Sequence, residues 1–231
     1  EYIHALDTLK SNIKPITFKR DLSLHDSDIT IKNYASASHI RNLIYNNKDF
    51  DLFMPEYSAD LINNLIDLKK APANINKLET AILAKLRTMT IKELALLPDI
   101  SEGLENRLYK SIKISTSLNE LYNNAKTKRY SHSRIRRIIL CAFLGITKGM
   151  LNMPNPYIRV LGFNNNGKDI LKILKKNCPL PLVIKSSDIT PLDYNSKLFW
   201  ELECKSFDLY NLSTPKIDVC GLNMSTGCVV I

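Results

Sequence analysis

From Ser58 to Leu151 the apolar residues recur at helical intervals almost without a break, which commits the middle of this chain to packed helices. The spacing predicts helices over Ala59–Lys70, Asn76–Thr88, Ile91–Leu96, Gly103–Ile112, Leu118–Lys126 and Ser133–Leu144. The clearest stripe is Ile135, Ile138, Ile139, Ala142 and Phe143, on a helix starting near Ser131 or Ser133. The pattern changes on either side of this run. Ahead of it, Glu1 to Leu9 reads as helix, Lys14 to Arg20 alternates as a strand, and a helical pattern runs from Ser36 to the Asn46-Asn47 region. After the break at Met153-Pro-Asn-Pro156 come a strand (Tyr157–Phe163), a turn (Asn164–Gly167), a helix (Lys168–Asn177) and a second strand (Leu182–Ile184), which together make a βαβ unit. Helix is also expected around Phe199–Glu203 and Tyr210, and the tail after Asp188 is otherwise not placed. The fold class is α+β, mostly helical.

A chain of 231 residues is long enough to bury a real core without disulfide staples. Its longest apolar run, Ile138 to Ile146, falls far short of the roughly 20 residues of a membrane span. The chain therefore reads as soluble, with no membrane partner. Five scattered cysteines show neither metal-ligand spacing nor a disulfide pattern, and they fit a reducing cytoplasm. The N-terminus carries no basic-then-apolar leader and opens inside a helical stripe of Tyr2, Leu6 and Leu9, as a piece of a longer protein would.

Net charge is +9, and its placement matters more than its size. No Asp or Glu lies between Leu121 and Lys168, whereas nine Lys or Arg do, so the rest of the chain is neutral. Such a concentration of one sign suits a polyanion, because each neutralised phosphate releases counterions. The densest part holds Lys126, Lys128, Arg129, Arg134, Arg136 and Arg137. The last three fall in the first turn of the predicted helix, the end that already carries partial positive charge, where a phosphate would offset the cost. Tyr130 and His132 add rings able to stack on unpaired bases, which favours RNA. The plainer alternative is a solvated basic helix face. Docking on acidic lipid is disfavoured, because the stretch lacks a Trp/Phe/Leu-rich insertion face.

A second segment, Tyr34-Ala-Ser-Ala-Ser-His-Ile-Arg41, places two hydroxyls before a helix and a guanidinium one turn along it. Ser36, Ser38, Arg41 and the free N–H groups of the helix start can converge on one oxyanion. The alternative is an ordinary serine cap. Asn106 and Arg107 read either as part of a substrate surface oriented by Glu102 and Glu105, or as a helix start capped by Ser101. The Asn165-Asn-Gly-Lys168 turn lacks the pattern of a Walker loop and reads as structural.

These segments carry a resemblance. Ser36-Ala-Ser-His-Ile-Arg41 resembles the ISxTxxR motif of HIGH-superfamily nucleotidylyltransferases. Together with Ser101-Glu-Gly-Leu-Glu-Asn-Arg-Leu108, the Lys126 to Arg137 segment and Tyr157-Ile-Arg-Val-Leu-Gly-Phe163, it is similar to the bacterial tRNA(Met) cytidine acetate ligase family. The resemblance implies three parts: the end of a Rossmann-like nucleotidyltransferase domain (1–45), a helical domain (46–152) and a small α/β domain (153–231). It implies an enzyme that activates acetate with ATP, accompanied by Mg, as acetyl-adenylate, and then acetylates the wobble cytidine of elongator tRNA(Met). On that view Lys19, Arg20, Ser36, Ser38 and Arg41 hold ATP. The tRNA lies on Lys126, Lys128, Arg129, Tyr130, Arg134, Arg136 and Arg137. The family's paired-histidine motif is not matched, since His4, His25, His39 and His132 stand apart, so this stretch alone is expected to be inactive. A non-catalytic RNA-binding module is the alternative.

Overall fold

The computed structural model describes residues 2–18 and 33–231. Packing divides the chain into two compact units, 1–68 and 69–231.

In the first unit, α1 (Tyr2–Thr8) forms as the stripe predicts, but Tyr2 is 91% exposed and no residue of the helix is buried. The strand expected over 14–20 is absent among the described residues. Residues 12–18 are exposed and carry no ladder partner there, and Lys19 and Arg20 lie outside the described residues. Helix α2 (Ala37–Tyr45) starts where Ser36 accepts the N–H of His39 and stops at Asn46. Helix α3 (Glu56–Asp67) follows a short 3-10 turn at Asp51–Phe53, and Asn63 Nδ2 donates to Asp51 Oδ1 at 3.1 Å.

The second unit opens with α4 (Glu79–Thr88), α5 (Ile91–Ala95), α6 (Leu104–Ile114), α7 (Leu118–Ala125) and α8 (His132–Leu144). All five match predicted helices to within about three residues. Their stripes interlock in one core, where Leu104, Leu121, Ala125 and Ile135 have no exposed surface. Helix α8 buries the five residues of its predicted stripe, and its cap is Ser131, which accepts the N–H of Arg134. Thr90 and Glu93 form a reciprocal capping box at α5. Helix α6 is capped by Gly103 at φ +82°, a left-handed conformation that suits glycine, rather than by Ser101 as expected.

A short helix, α9 (Lys148–Leu151), leads to β1 (Ile158–Arg159), β2 (Gly162–Phe163), α10 (Asn165–Asn177) and β3 (Leu182–Val183). The single strand expected over 157–163 is two. β1 pairs parallel with β3, which gives the predicted βαβ unit, and β2 pairs parallel with the tail strand β4 (Val229–Val230). The expected turn at 164–167 is instead the start of α10, because Asn164 Oδ1 accepts the N–H of Gly167 and caps it. The long α11 (Tyr194–Asn211) and short α12 (Leu222–Ser225) precede β4. Trp200 and Cys204 of α11 form a second, smaller core with Val183 and Ile189. Lys205 Nζ, also on α11, donates to the Leu144 carbonyl at 3.0 Å, which ties this end to α8. None of the five cysteines is in a disulfide, and no helix among the described residues is long and apolar enough to cross a membrane.

Candidate functional site

The α2 start brings together two of the predicted phosphate-binding hydroxyls. Ser36 Oγ and Ser38 Oγ are 3.3 Å apart, and Ser36 is buried. Ser36 Oγ also accepts the His39 N–H at 3.1 Å, so it performs the capping role that was the plainer alternative. Arg41 lies three residues beyond Ser38, on the same helix face, and is exposed with no ion pair among the described residues. This helix start therefore holds two hydroxyls and a cation within about one and a half turns.

The basic segment is arranged differently from its sequence appearance. Arg134 donates to the Asp99 carbonyl from Nε (3.1 Å) and Nη2 (2.6 Å), and Nη2 also donates to Ser101 Oγ at 2.9 Å. Arg137 Nε pairs with the Asp99 carboxylate at 2.5 Å, and Arg129 pairs with Glu102. Positions 134 and 137 sit on one face of α8 and clamp the loop between α5 and α6. That loop turns through positive φ at Asp99 (60°) and Glu102 (56°). Arg136 points another way, over the Tyr122 ring of α7 at 5.3 Å. Lys126 and Lys128 are exposed, with no ion pair among the described residues.

Neither predicted stacking ring is available to a base. Tyr130 is only 7% exposed, and Arg134 lies over its ring at 5.1 Å. His132 is half-buried, and its Nε2 is buried without a hydrogen-bond partner. Arg107 takes the structural role: it donates to the carbonyls of Asn124 (2.8 Å), Ala125 (2.8 Å) and Lys126 (3.0 Å), the open C-terminal end of α7.

Sequence reasoning gave no role to the surroundings of Arg159. Its guanidinium pairs with Glu203, donates to Asn223 Oδ1 at 2.8 Å and covers the Trp200 ring at 4.7 Å. Tyr157 donates its hydroxyl to Glu203 at 3.0 Å, and burial first, then the Glu203 charge, pushes its ionisation well above the ordinary tyrosine value. The signal was the Tyr157–Phe163 motif, but its partners lie more than 40 residues away. Among the described residues no group of three or more His, Cys, Asp or Glu side chains is placed to hold a metal ion.

The model of the family described as HIGH Nucleotidyl Transferase matches residues 1–221. The chain belongs to that family. Within it, the chain is 34% identical over 228 residues to the tRNA(Met) cytidine acetate ligase of Thermoanaerobacter sp. (strain X514), covering 96% of this chain and 56% of the relative. It is 36% identical over 234 residues to the ligase of the same name from Clostridium acetobutylicum, covering 94% of this chain and 54% of the relative. The chain thus spans about half the length of the curated relatives it matches. The whole chain superposes on 58% of apo Thermotoga maritima TmcAL with a TM-score of 0.87 at 24% identity, which shows the shared fold. It superposes on 57% of the same protein bound with alpha-thio ATP with a TM-score of 0.84 at 25% identity. This HIGH nucleotidyl transferase chain therefore shares a fold with Thermotoga maritima TmcAL.

Proposed function

We propose that this chain is part of an ATP-dependent ligase that activates acetate as acetyl-adenylate and acetylates the wobble cytidine of elongator tRNA(Met). In the first step an acetate oxygen bonds to the α-phosphorus of ATP, the bond to the β-phosphate bridge breaks, and pyrophosphate leaves. In the second the cytidine amine attacks the acetyl carbonyl, AMP departs and the amine loses a proton. The observation that carries the reading is the α2 start, where Ser36 and Ser38 lie 3.3 Å apart and Arg41 follows one turn along on the Ser38 face, with no ion pair among the described residues. There Arg41 offsets charge on the triphosphate and the hydroxyls orient it, so positioning and electrostatics do most of the work. Lys19 and Arg20, which lie outside the described residues, are proposed as further ATP contacts from the sequence alone. Mg bound to the triphosphate would supply further charge neutralisation beside Arg41. The alpha-thio ATP bound to Thermotoga maritima TmcAL supports ATP as the substrate.

The tRNA lies on Lys126, Lys128 and Arg136. Arg129 and Arg137 contribute after exchanging Glu102 and Asp99 for a phosphate, a small cost for exposed ion pairs. Arg134 contributes by releasing its hydrogen bonds to the Asp99 carbonyl and Ser101 Oγ. Tyr130 supports the surface from below rather than stacking on a base. The reaction takes place in the cytoplasm.

Arg41→Ala tests the reading. It is expected to lower the affinity of the chain for ATP by about tenfold, one charge-assisted contact, while leaving tRNA affinity unchanged. Loss of tRNA binding with ATP affinity intact would favour a non-catalytic RNA-binding module, the reading that the Ser36 capping bond fits. Because the paired histidines are not matched, these 231 residues with ATP, acetate and labelled pyrophosphate are expected to give no exchange; clear exchange would contradict that.

A further inference from the structure

We infer that the groove between α10 and the β3 segment is a second nucleic-acid site, which takes the phosphate backbone of a single RNA strand. The inference extends the tRNA-binding part of the proposed function and rests on it for the identity of the polyanion. The groove encloses about 1050 Å³. Lys168, Lys172 and Lys175 line one wall at i, i+4 and i+7, a single stripe of α10, and Lys185 faces them from the other side. The floor between them is apolar and includes Phe163, Leu171 and Leu182.

The charges in the groove are unbalanced. Its one acidic lining residue, Asp188, has Oδ2 occupied by the N–H groups of Ile184 (2.9 Å) and Lys185 (3.0 Å). Lys172 pairs with Asp169 at 2.9 Å, but both side chains are about three-quarters exposed, and a pair so open to water holds its lysine weakly. Lys168, Lys175 and Lys185 have no ion pair among the described residues. Like charges stacked along a helix face repel one another, so a ligand that brings negative charge is favoured there.

The shape selects among anions. From Lys168 to Lys175 the stripe extends roughly 10 Å along the helix axis, too far for one phosphate to satisfy and on the scale of successive phosphates in an extended strand. Lysines act as point charges that follow a backbone without reading bases, and a basic groove with an apolar or aromatic floor is the usual form of a single-strand site.

The test compares the 231-residue chain with two variants by fluorescence anisotropy on labelled elongator tRNA(Met) transcript, at salt from roughly 50 to 200 mM. The groove variant carries Lys168→Gln, Lys172→Gln, Lys175→Gln and Lys185→Gln; the patch variant carries Lys126→Gln, Lys128→Gln and Arg136→Gln. All seven side chains are exposed, and circular dichroism is the check that each variant folds. The groove variant is expected to lose about tenfold or more in affinity, and its salt slope to become shallower by about 0.7 per lost contact. If only the groove variant weakens, the groove stands and the patch assignment fails; if both weaken, both stand. If only the patch variant weakens, the groove proposal is overturned and the patch survives. Wild-type chain that does not bind tRNA overturns both. Lysine-dependent capture on phosphatidylserine vesicles, with tRNA affinity unchanged, overturns the groove proposal in favour of lipid.

Discussion

Helices α8 and α10 are both thirteen residues long and both strongly basic, yet α8 buries five apolar residues and α10 buries none. Helix α8 is enclosed by α4, α7 and α11, whereas α10 packs chiefly against the two-residue strand β2. Their cations differ in the same way. Arg134 and Arg137 of α8 are occupied by a loop of the same chain, while Lys168 and Lys175 of α10 face an open groove. An amphipathic pattern thus specifies a helix, but the neighbours decide whether its apolar face becomes core and its basic face a clamp.

That contrast is testable, and the largest effect lies in the α8 core. Ile138→Ala is expected to cost about 2–5 kcal/mol in urea unfolding, because the tightly packed surroundings cannot close the cavity. A cost below 1 kcal/mol, on the order of an exposed site, would break the comparison. Next comes Arg107→Ala, expected to cost about 1–3 kcal/mol by releasing three carbonyls at the end of α7. Ser131→Ala removes the α8 cap and should cost about 1 kcal/mol of global stability. The matching Asn164→Ala at α10 should leave the global midpoint unchanged and speed hydrogen exchange in α10 alone, since a peripheral helix opens by itself.

Titration separates the regions further. Hydrogen bonds from the Thr90 N–H and hydroxyl hold Glu93 below its ordinary value of 4.5, and Thr116 does the same for Glu120. Both belong to the helical part. The unfolded chain takes up these protons first, so this stability is present above about pH 4.5 and is lost as pH falls through the lowered folded values. Glu93→Gln should flatten part of the acid limb in a melting-temperature series. Tyr157 works in the opposite direction at the α/β end. Its raised ionisation gives stability that is full below its ordinary value of 10.0 and is lost as pH rises above it, so Tyr157→Phe should flatten the alkaline limb. The smallest effect is expected from Ile173→Ala on the open face of α10, within about 0.5 kcal/mol.

Much of the helical half was legible because its signals are local. The Ser131 cap, the stripe of α8 and the limits of α4 to α7 depend on residues within a few turns of one another. Reading 157–163 as one strand failed for a non-local reason. The chain changes partner inside that segment: the Val160 N–H donates to Val183, while the Leu161 carbonyl accepts from Val229, 68 residues on. Alternation along a segment does not reveal which strand lies beside it. At the candidate site, the spacing of Ser36, Ser38 and Arg41 was readable, being contained in one helix start, whereas the burial of Tyr130 and the partners of Arg159 were not.

By itself the sequence determined where the helices of the middle begin and end, which of their residues face inward, and that positive charge gathers between Lys126 and Lys168. Only the tertiary structure decided what that charge meets. The stretch without acids in the chain is not without them in space, because Asp99 and Glu102 come to Arg137 and Arg129 from a loop about 27 to 38 residues earlier. Helical periodicity acts over one or two turns of a single element, but Coulomb pairing and burial act across whatever surfaces the packed core brings together.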